Sequence, residues 1–228
     1  MIRSVFVIAA ATLVALPAFA GPLQDSILAH AETLPEAAFA FTQSAELTSV
    51  NKDGEKEVKT FTLRFDPRKP EKQRWQLVSI DGRTPTDKER KNAEKHARNG
   101  PIPGYHRIAR WIGAPAAETP TQITYDKFPK KTFDMGPMDL SKKLAGTAYV
   151  STTGDMPWVE RSQFRLTEPA RAMLVAKIED MQVETRFQRL DDGTPVLATQ
   201  TISMAGSMLG KSGRQTTRST YSDYVRVN

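Results

Sequence analysis

Met181-Gln182-Val183-Glu184-Thr185-Arg186-Phe187-Gln188 alternates apolar or small side chains with long polar ones, without a break. A period of two belongs to a β-strand with one face on a core and the other in water. Asp192-Gly193 follows, a pair suited to a tight turn. The pattern then resumes over residues 196–204 and again over 214–227. Upstream, residues 122–128, 148–151, 159–166 and 173–178 also read as strands. A run of strands on turn residues, with few helices between, points to a large antiparallel sheet.

The first half of the chain supports the same reading. Phe39, Phe41, Ala45 and Leu47 alternate with Thr42, Ser44, Glu46 and Thr48 as far as Asn51-Lys52-Asp53-Gly54, a turn. Residues 58–65 then place Phe61, Leu63 and Phe65 on one face, so the two runs predict a hairpin with an aromatic inner face. Trp75, Leu77, Val78 and Ile80 make a third strand, closed by Asp81-Gly82. A helix over 24–34 precedes them, with Ile27, Leu28 and Ala31 at helical spacing and Pro35 as its stop. The fold class that follows is mainly β with a few helices: an incomplete antiparallel β-barrel, a curved sheet covered by short helices.

Two segments break the strand pattern. Thr86-Asp87-Lys88-Glu89 has the spacing of a capping box, and the stretch from there to Asn99 is highly charged. With no apolar stripe to bury, residues 84–100 read as an insertion that is either an exposed helix or a mobile loop. Tyr105, Ile108, Trp111 and Ile112 recur at helical spacing and predict a short amphipathic helix, a candidate lid over the open side of the sheet.

The leader sets the compartment. Arg3, an uncharged run over 5–16 that is apolar except for Thr12, and Ala18-Phe19-Ala20 before Gly21 form a signal peptide, residues 1–20. The mature chain, 21–228, is long enough for one domain and is expected in the periplasm. There is no cysteine, hence no disulfide and no cysteine for lipid attachment. The formal net charge is +6, of which Arg3 carries one unit in the leader. Such an excess suits a solvated exported protein or contact with an anionic membrane surface, and the exported location speaks against nucleic acid. Fifteen prolines are spread along the chain and mark no linker.

No catalytic constellation can be assembled. Ser207 to Ser212 resembles a phosphate-binding loop, but the required first glycine falls on Ala205, so a connection between strands is the better reading. His30, His96 and His106 lie in different elements and share no metal-ligand spacing. A Gly-x-Ser-x-Gly elbow is lacking, and the neighbouring pairs Glu179-Asp180 and Asp191-Asp192 point to opposite faces of a strand. The expectation is a protein without cofactor, metal or enzymatic activity.

The inventory of large apolar side chains is more informative. Phe39, Phe41, Phe61, Phe65, Trp75, Trp111, Trp158, Phe164, Met181 and Phe187 either fill an ordinary core or line a cavity on the concave face of the sheet. A curved sheet cannot fill its own hollow unless helices plug it, and aromatics with methionine would accept an acyl chain there. Basic residues gather at Arg64, Arg68, Lys69, Lys72 and Arg74, over 83–98, and at Lys211, Arg214 and Arg218. They are either solvated loop charges or a rim for an anionic headgroup.

Several of these residues occur in the order of a known family. An N-terminal helix, Phe39-Ala40-Phe41-Thr42-Gln43, Phe65-Asp66-Pro67-Arg68, Arg74-Trp75-Gln76-Leu77, Asp81-Gly82-Arg83 and a closing Tyr221-Ser222-Asp223-Tyr224 strand resemble the periplasmic lipoprotein-localisation (LolA/LolB-like) superfamily. In that family the Asp-Gly-basic turn runs on into another apolar strand, whereas here Thr84-Pro85-Thr86 leads into the charged segment. The resemblance implies a half-barrel that binds acyl chains, with a lipid or acylated protein as partner. The alternative from another class is an envelope sensor or interaction module of the same fold, in which the aromatics are core and residues 84–100 are the contact surface.

Overall fold

In a computed structural model the structure describes residues 21–227, apart from 136, 137, 155, 173–175, 209 and 210. The leader and the central Leu209-Gly210 of the glycine-rich connection lie outside the described residues.

Helix α1 (Pro22–Thr33) opens the chain. Strands β1 (Phe39–Asn51), β2 (Lys56–Phe65) and β3 (Trp75–Ile80) follow, then helix α2 (Asp87–Asn99) and a 3-10 helix, Tyr105–Arg110. Short strands β4 (Ala117–Thr119), β5 (Gln122–Tyr125), β6 (Asp134–Met135) and β7 (Met138–Asp139) come next. The remainder is β8 (Leu144–Ser151), β9 (Trp158–Leu166), β10 (Ala170–Ala172), β11 (Ala176–Arg189), β12 (Pro195–Met208) and β13 (Lys211–Arg226).

Short connections let many strands pair with a sequence neighbour, whereas β1 with β13, β5 with β8 and β9 with β11 pair across longer separations, and the sheet is antiparallel throughout. Its order is β3-β2-β1-β13-β12-β11-β9-β8-β5-β4, with β10 paired to β11 off this path and β6 to β7 apart. The pairing of β1 with β13 joins the two ends of the chain in mid-sheet. Edge strands β3 and β4 do not meet, so the barrel is incomplete.

The alternation over 181–188 holds except at Glu184: Met181 and Thr185 are buried, Val183 and Phe187 half-buried, and Gln182, Arg186 and Gln188 exposed, while Glu184 is half-buried where it accepts from Gln163 and Arg186. The strands expected separately over 173–178 and 181–190 are one strand over their described part, β11, with residues 173–175 outside the described residues. A register shift between Ile178 and Asp180 lets β11 continue through Glu179. Gly206 faces this bulge, where a side chain would collide with the backbone carbonyl of Lys177. The helix expected near Tyr105 is of the tighter 3-10 type. Strands β4, β6, β7 and β10 are too short to show a period, and the sequence pattern did not reveal them.

The charged segment is a helix. Thr86 and Glu89 form the capping box, Arg83 pairs with Glu89 at 2.6 Å, and no residue of α2 is fully buried. Glu94 on α2 accepts a hydrogen bond from the Leu77 amide at 3.3 Å, so the helix lies along edge strand β3. That contact covers an edge otherwise open to pairing with another chain.

Apolar side chains gather in two clusters joined through Phe187. The larger fills the space between α1, the 3-10 helix and strands β5 to β11. The smaller, around Phe41, Phe65, Trp75, Leu197 and Tyr221, lies under β1 to β3.

Candidate functional site

Cross-strand register decides what the concave face presents. Phe164 on β9 stands opposite Val183 on β11, which stands opposite Ile202 on β12. Two residues along, Ser162, Thr185, Gln200 and Ser219 are aligned across β9, β11, β12 and β13. A polar strip thus crosses an apolar floor. Gln200 Nε2 donates to Thr185 Oγ1 at 3.3 Å, and Gln43 Nε2 to Ser219 Oγ at 3.2 Å.

Over this floor lies the 3-10 helix, and between them is a cavity of about 340 Å³. Phe164, Met181, Val183, Phe187 and Ile202 wall it from the sheet, Ile108 from the helix and Trp111 from its C-cap. Ser162, Thr185 and Gln200 of the polar strip also reach it, as do Arg107, Arg110 and Asp134 at its rim. Its size falls within the roughly 300–1,000 Å³ range of small-molecule sites.

Hydrogen bonds anchor the cover. Gln24, fully buried on α1, donates to the carbonyls of Ile112 at 2.5 Å and Ala114 at 2.8 Å. Tyr125 Oη donates to the same Ile112 carbonyl at 2.9 Å, and Tyr105 Oη accepts from the Val159 amide at 2.8 Å. Burial holds both phenols well above the ordinary tyrosine range, so they remain neutral. Helix α1 is itself held by Glu118 on β4, whose carboxylate accepts from the amides of Leu23 at 3.2 Å and Gln24 at 3.1 Å. An acid at a helix N-terminus satisfies free donors and is attracted by the positive end of the helix dipole.

Trp111 meets Tyr125 and Phe164 edge-on, with centroids 5.8 and 5.0 Å apart. Phe164 can lie flat against the sheet because Gly146 is opposite it on β8, where any side chain would strike its ring. Aromatic walls and a glycine therefore shape the cavity together.

Of the ten aromatic and methionine candidates, Trp111, Phe164, Met181 and Phe187 meet at the cavity. Phe41, Phe65 and Trp75 pack on one another in the smaller cluster, with centroids 4.9 to 5.7 Å apart, away from this lining. Phe39 packs edge-on against Tyr224 with the Arg226 guanidinium over its ring. Trp158 sits beside the larger cluster under Arg189, and Phe61 on β2 is half-buried outside both clusters.

Among the described side chains, the basic groups singled out from the sequence do not line the cavity. Arg68 pairs with Asp66, Arg83 with Glu89 and Arg214 with Asp180. Sequence reading passed over Arg107 and Arg110, although their i, i+3 spacing marks one edge of a 3-10 helix. It also passed over the polar strip, which becomes visible once strand register is known.

The histidines stay apart. His30 Nδ1 is buried without a partner beside Tyr105, and burial, then the charge of Arg189, lowers its pKa. Burial also lowers that of His106, while His96 is exposed on α2 with Nδ1 2.7 Å from the Asn92 carbonyl. Among the described residues no group of three His, Asp or Glu side chains is placed to hold a metal ion, and no helix is long and apolar enough to cross a membrane.

No family model matches the chain, and no curated protein does. A structural likeness exists to the crystal structure of a LolA superfamily protein from Nitrosomonas europaea. It spans 91% of this chain and 95% of that one, at 8% sequence identity and a TM-score of 0.22. A likeness of that degree carries no argument about function, which rests on the cavity.

Proposed function

We propose that this chain is an exported, soluble binding protein that shelters an acyl chain of a lipid or acylated protein in the cavity beneath the 3-10 helix, without covalent chemistry. The observation that supports this is the pairing of a concave sheet with a cover that leaves about 340 Å³ between apolar walls. Such walls exclude water from a hydrocarbon chain, each buried methylene contributing about 0.8 kcal/mol before the costs of association. Phe187 and Met181 supply rigid and adaptable surface respectively. The work expected of such a site is holding and release, and it needs no nucleophile.

Native mass spectrometry of the protein purified from the periplasm tests the proposal, with titration of a fluorescent fatty-acyl probe beside it. Bound lipid masses and saturable probe binding at one site per chain are expected. Protein free of lipid that also fails to bind the probe would refute it.

A further inference from the structure

The cavity has a polarity that an acyl chain alone does not explain. Along the 3-10 helix, residues three apart lie one above the other. Arg107 and Arg110 form one such pair; Ile108 and Trp111, the residue that caps the helix and donates its amide to the Ile108 carbonyl, form another, and all four border the cavity. The apolar pair is buried; Arg107 is half-buried and Arg110 exposed. The helix therefore presents hydrocarbon inward and two guanidinium groups at the rim.

These two cations are poorly compensated. Among the described residues no carboxylate oxygen lies within 4 Å of either guanidinium, whereas ten other ion pairs meet that limit. Asp134 borders the same cavity and Glu36 lies near Arg107, but neither forms an ion pair with them. Burial, and then the like charge of Arg110, disfavour the charged form of Arg107, and Glu36 offsets this only in part. Holding two arginines together at the mouth of an apolar site opposes folding unless an anion relieves it. Guanidinium groups bind carboxylate or phosphate through paired N–H donors.

On the reading of the cavity as an acyl site, we infer that its ligand is an anionic amphiphile with one acyl chain, whose head sits on Arg107 and Arg110 while the chain runs inward past Ile108 and Trp111 to Met181. The volume stands near the low end for small-molecule sites, which suits a single chain better than the body of a two-chain lipid. Carboxylate and phosphate heads share this chemistry.

Three fluorescent probes of one chain length test this, headed by a carboxylate, a phosphate monoester and a neutral methyl ester. Each is titrated into the wild type, into a protein carrying Arg107→Gln with Arg110→Gln, and into Arg68→Gln, a control away from the cavity. Thermal unfolding verifies that every variant is folded. The wild type is expected to bind at least one anionic probe about tenfold or more tightly than the ester. The double substitution should abolish this preference, bringing the anionic probes to the affinity that the same variant shows for the ester, and the control should behave as wild type. Preference for one anionic head over the other identifies the head and supports the inference either way. Equal affinity of the wild type for all three probes overturns the anionic head but leaves acyl binding standing, whereas failure of all three to bind removes acyl binding itself.

Discussion

Trp111→Ala separates a packed cover from a mobile one. The Trp111 ring is 7% exposed, meets Tyr125 and Phe164 edge-on, and has the cavity along one side. A buried tryptophan removes roughly 150–250 Å² from water, worth about 4 to 6 kcal/mol at ~25 cal/mol per Å² as an upper bound. Measured truncations of Phe or Trp to Ala cost about 3–5 kcal/mol. Because one side of the ring borders the cavity, fewer contacts are lost than in a filled core, and about 3 to 4 kcal/mol is expected here. With a urea m-value of ~2 kcal/mol/M, the unfolding midpoint should fall by roughly 1.5 to 2 M. Trp75→Ala is the comparison, since Trp75 packs between Phe41 and Phe65 in the smaller cluster. It should cost at least as much but leave acyl-probe binding unaltered, whereas Trp111→Ala should change the probe's dissociation rate. A loss below about 1 kcal/mol for Trp111→Ala would show that the ring is not part of a packed core, and the argument for a pinned cover would fail.

Gly146→Ala should push Phe164 off the sheet, costing about 1–3 kcal/mol in chemical denaturation and weakening probe binding, while a neutral result would mean Phe164 has room to move. Gln24→Ala leaves the Ala114 carbonyl without its side-chain donor, though Tyr125 still serves Ile112; about 1–3 kcal/mol of stability should be lost, measured against Tyr125→Phe as a reference. Arg68, hydrogen-bonded to Asp66, holds that carboxyl at about 2 against an ordinary value near 3.8, so its contribution is present above pH ~4 and disappears as pH falls towards 2. Asp66→Asn should therefore lower Tm at neutral pH and make the acid loss shallower, and an unchanged acid profile would remove Asp66 from the account.

The sheet was legible because its strands bury one face, and a one-sided strand writes its period into the chain. Residues 39–51, 75–80 and 181–188 all carry that signal, and the turns at Asn51 to Gly54 and Asp192-Gly193 locate the reversals. Thr86 and Glu89 announced α2 through local chemistry, which needs no tertiary context. What α2 does was not legible, because the contact of Glu94 with Leu77 spans a loop and depends on which strand lies at the edge. The site was half visible for the same reason. Aromatic residues mark themselves by size, but Phe41, Phe65 and Trp75 resemble Phe164 and Phe187 in composition, and packing alone assigns them to another cluster. Ser162, Thr185 and Gln200 come from three strands, so their alignment is a property of register and no single segment contains it.

A cavity in this position follows from a mismatch of lengths. Strands β11, β12 and β13 have 14, 14 and 16 residues, so at ~3.3 Å per residue they run for roughly 45 to 55 Å along the concave face. The six residues of the 3-10 helix, rising ~2.0 Å each, extend for only ~12 Å. Helix α1, of 12 residues, is ~18 Å long and packs behind the 3-10 helix. Helix α2 would be long enough to fill the remaining hollow, yet its half-buried face offers as apolar side chains only the small Ala93 and Ala97, Ala97 packs on the smaller cluster, and the helix lies along β3 instead. The residues that border the uncovered part divide by row: apolar Phe164, Val183 and Ile202 in one, hydrogen-bonding Ser162, Thr185 and Gln200 in the next. A core built only to be filled gains nothing from a row of hydroxyl and amide groups on its floor. The same row is explained if the space receives a ligand that is mostly hydrocarbon and carries polar atoms at a fixed depth.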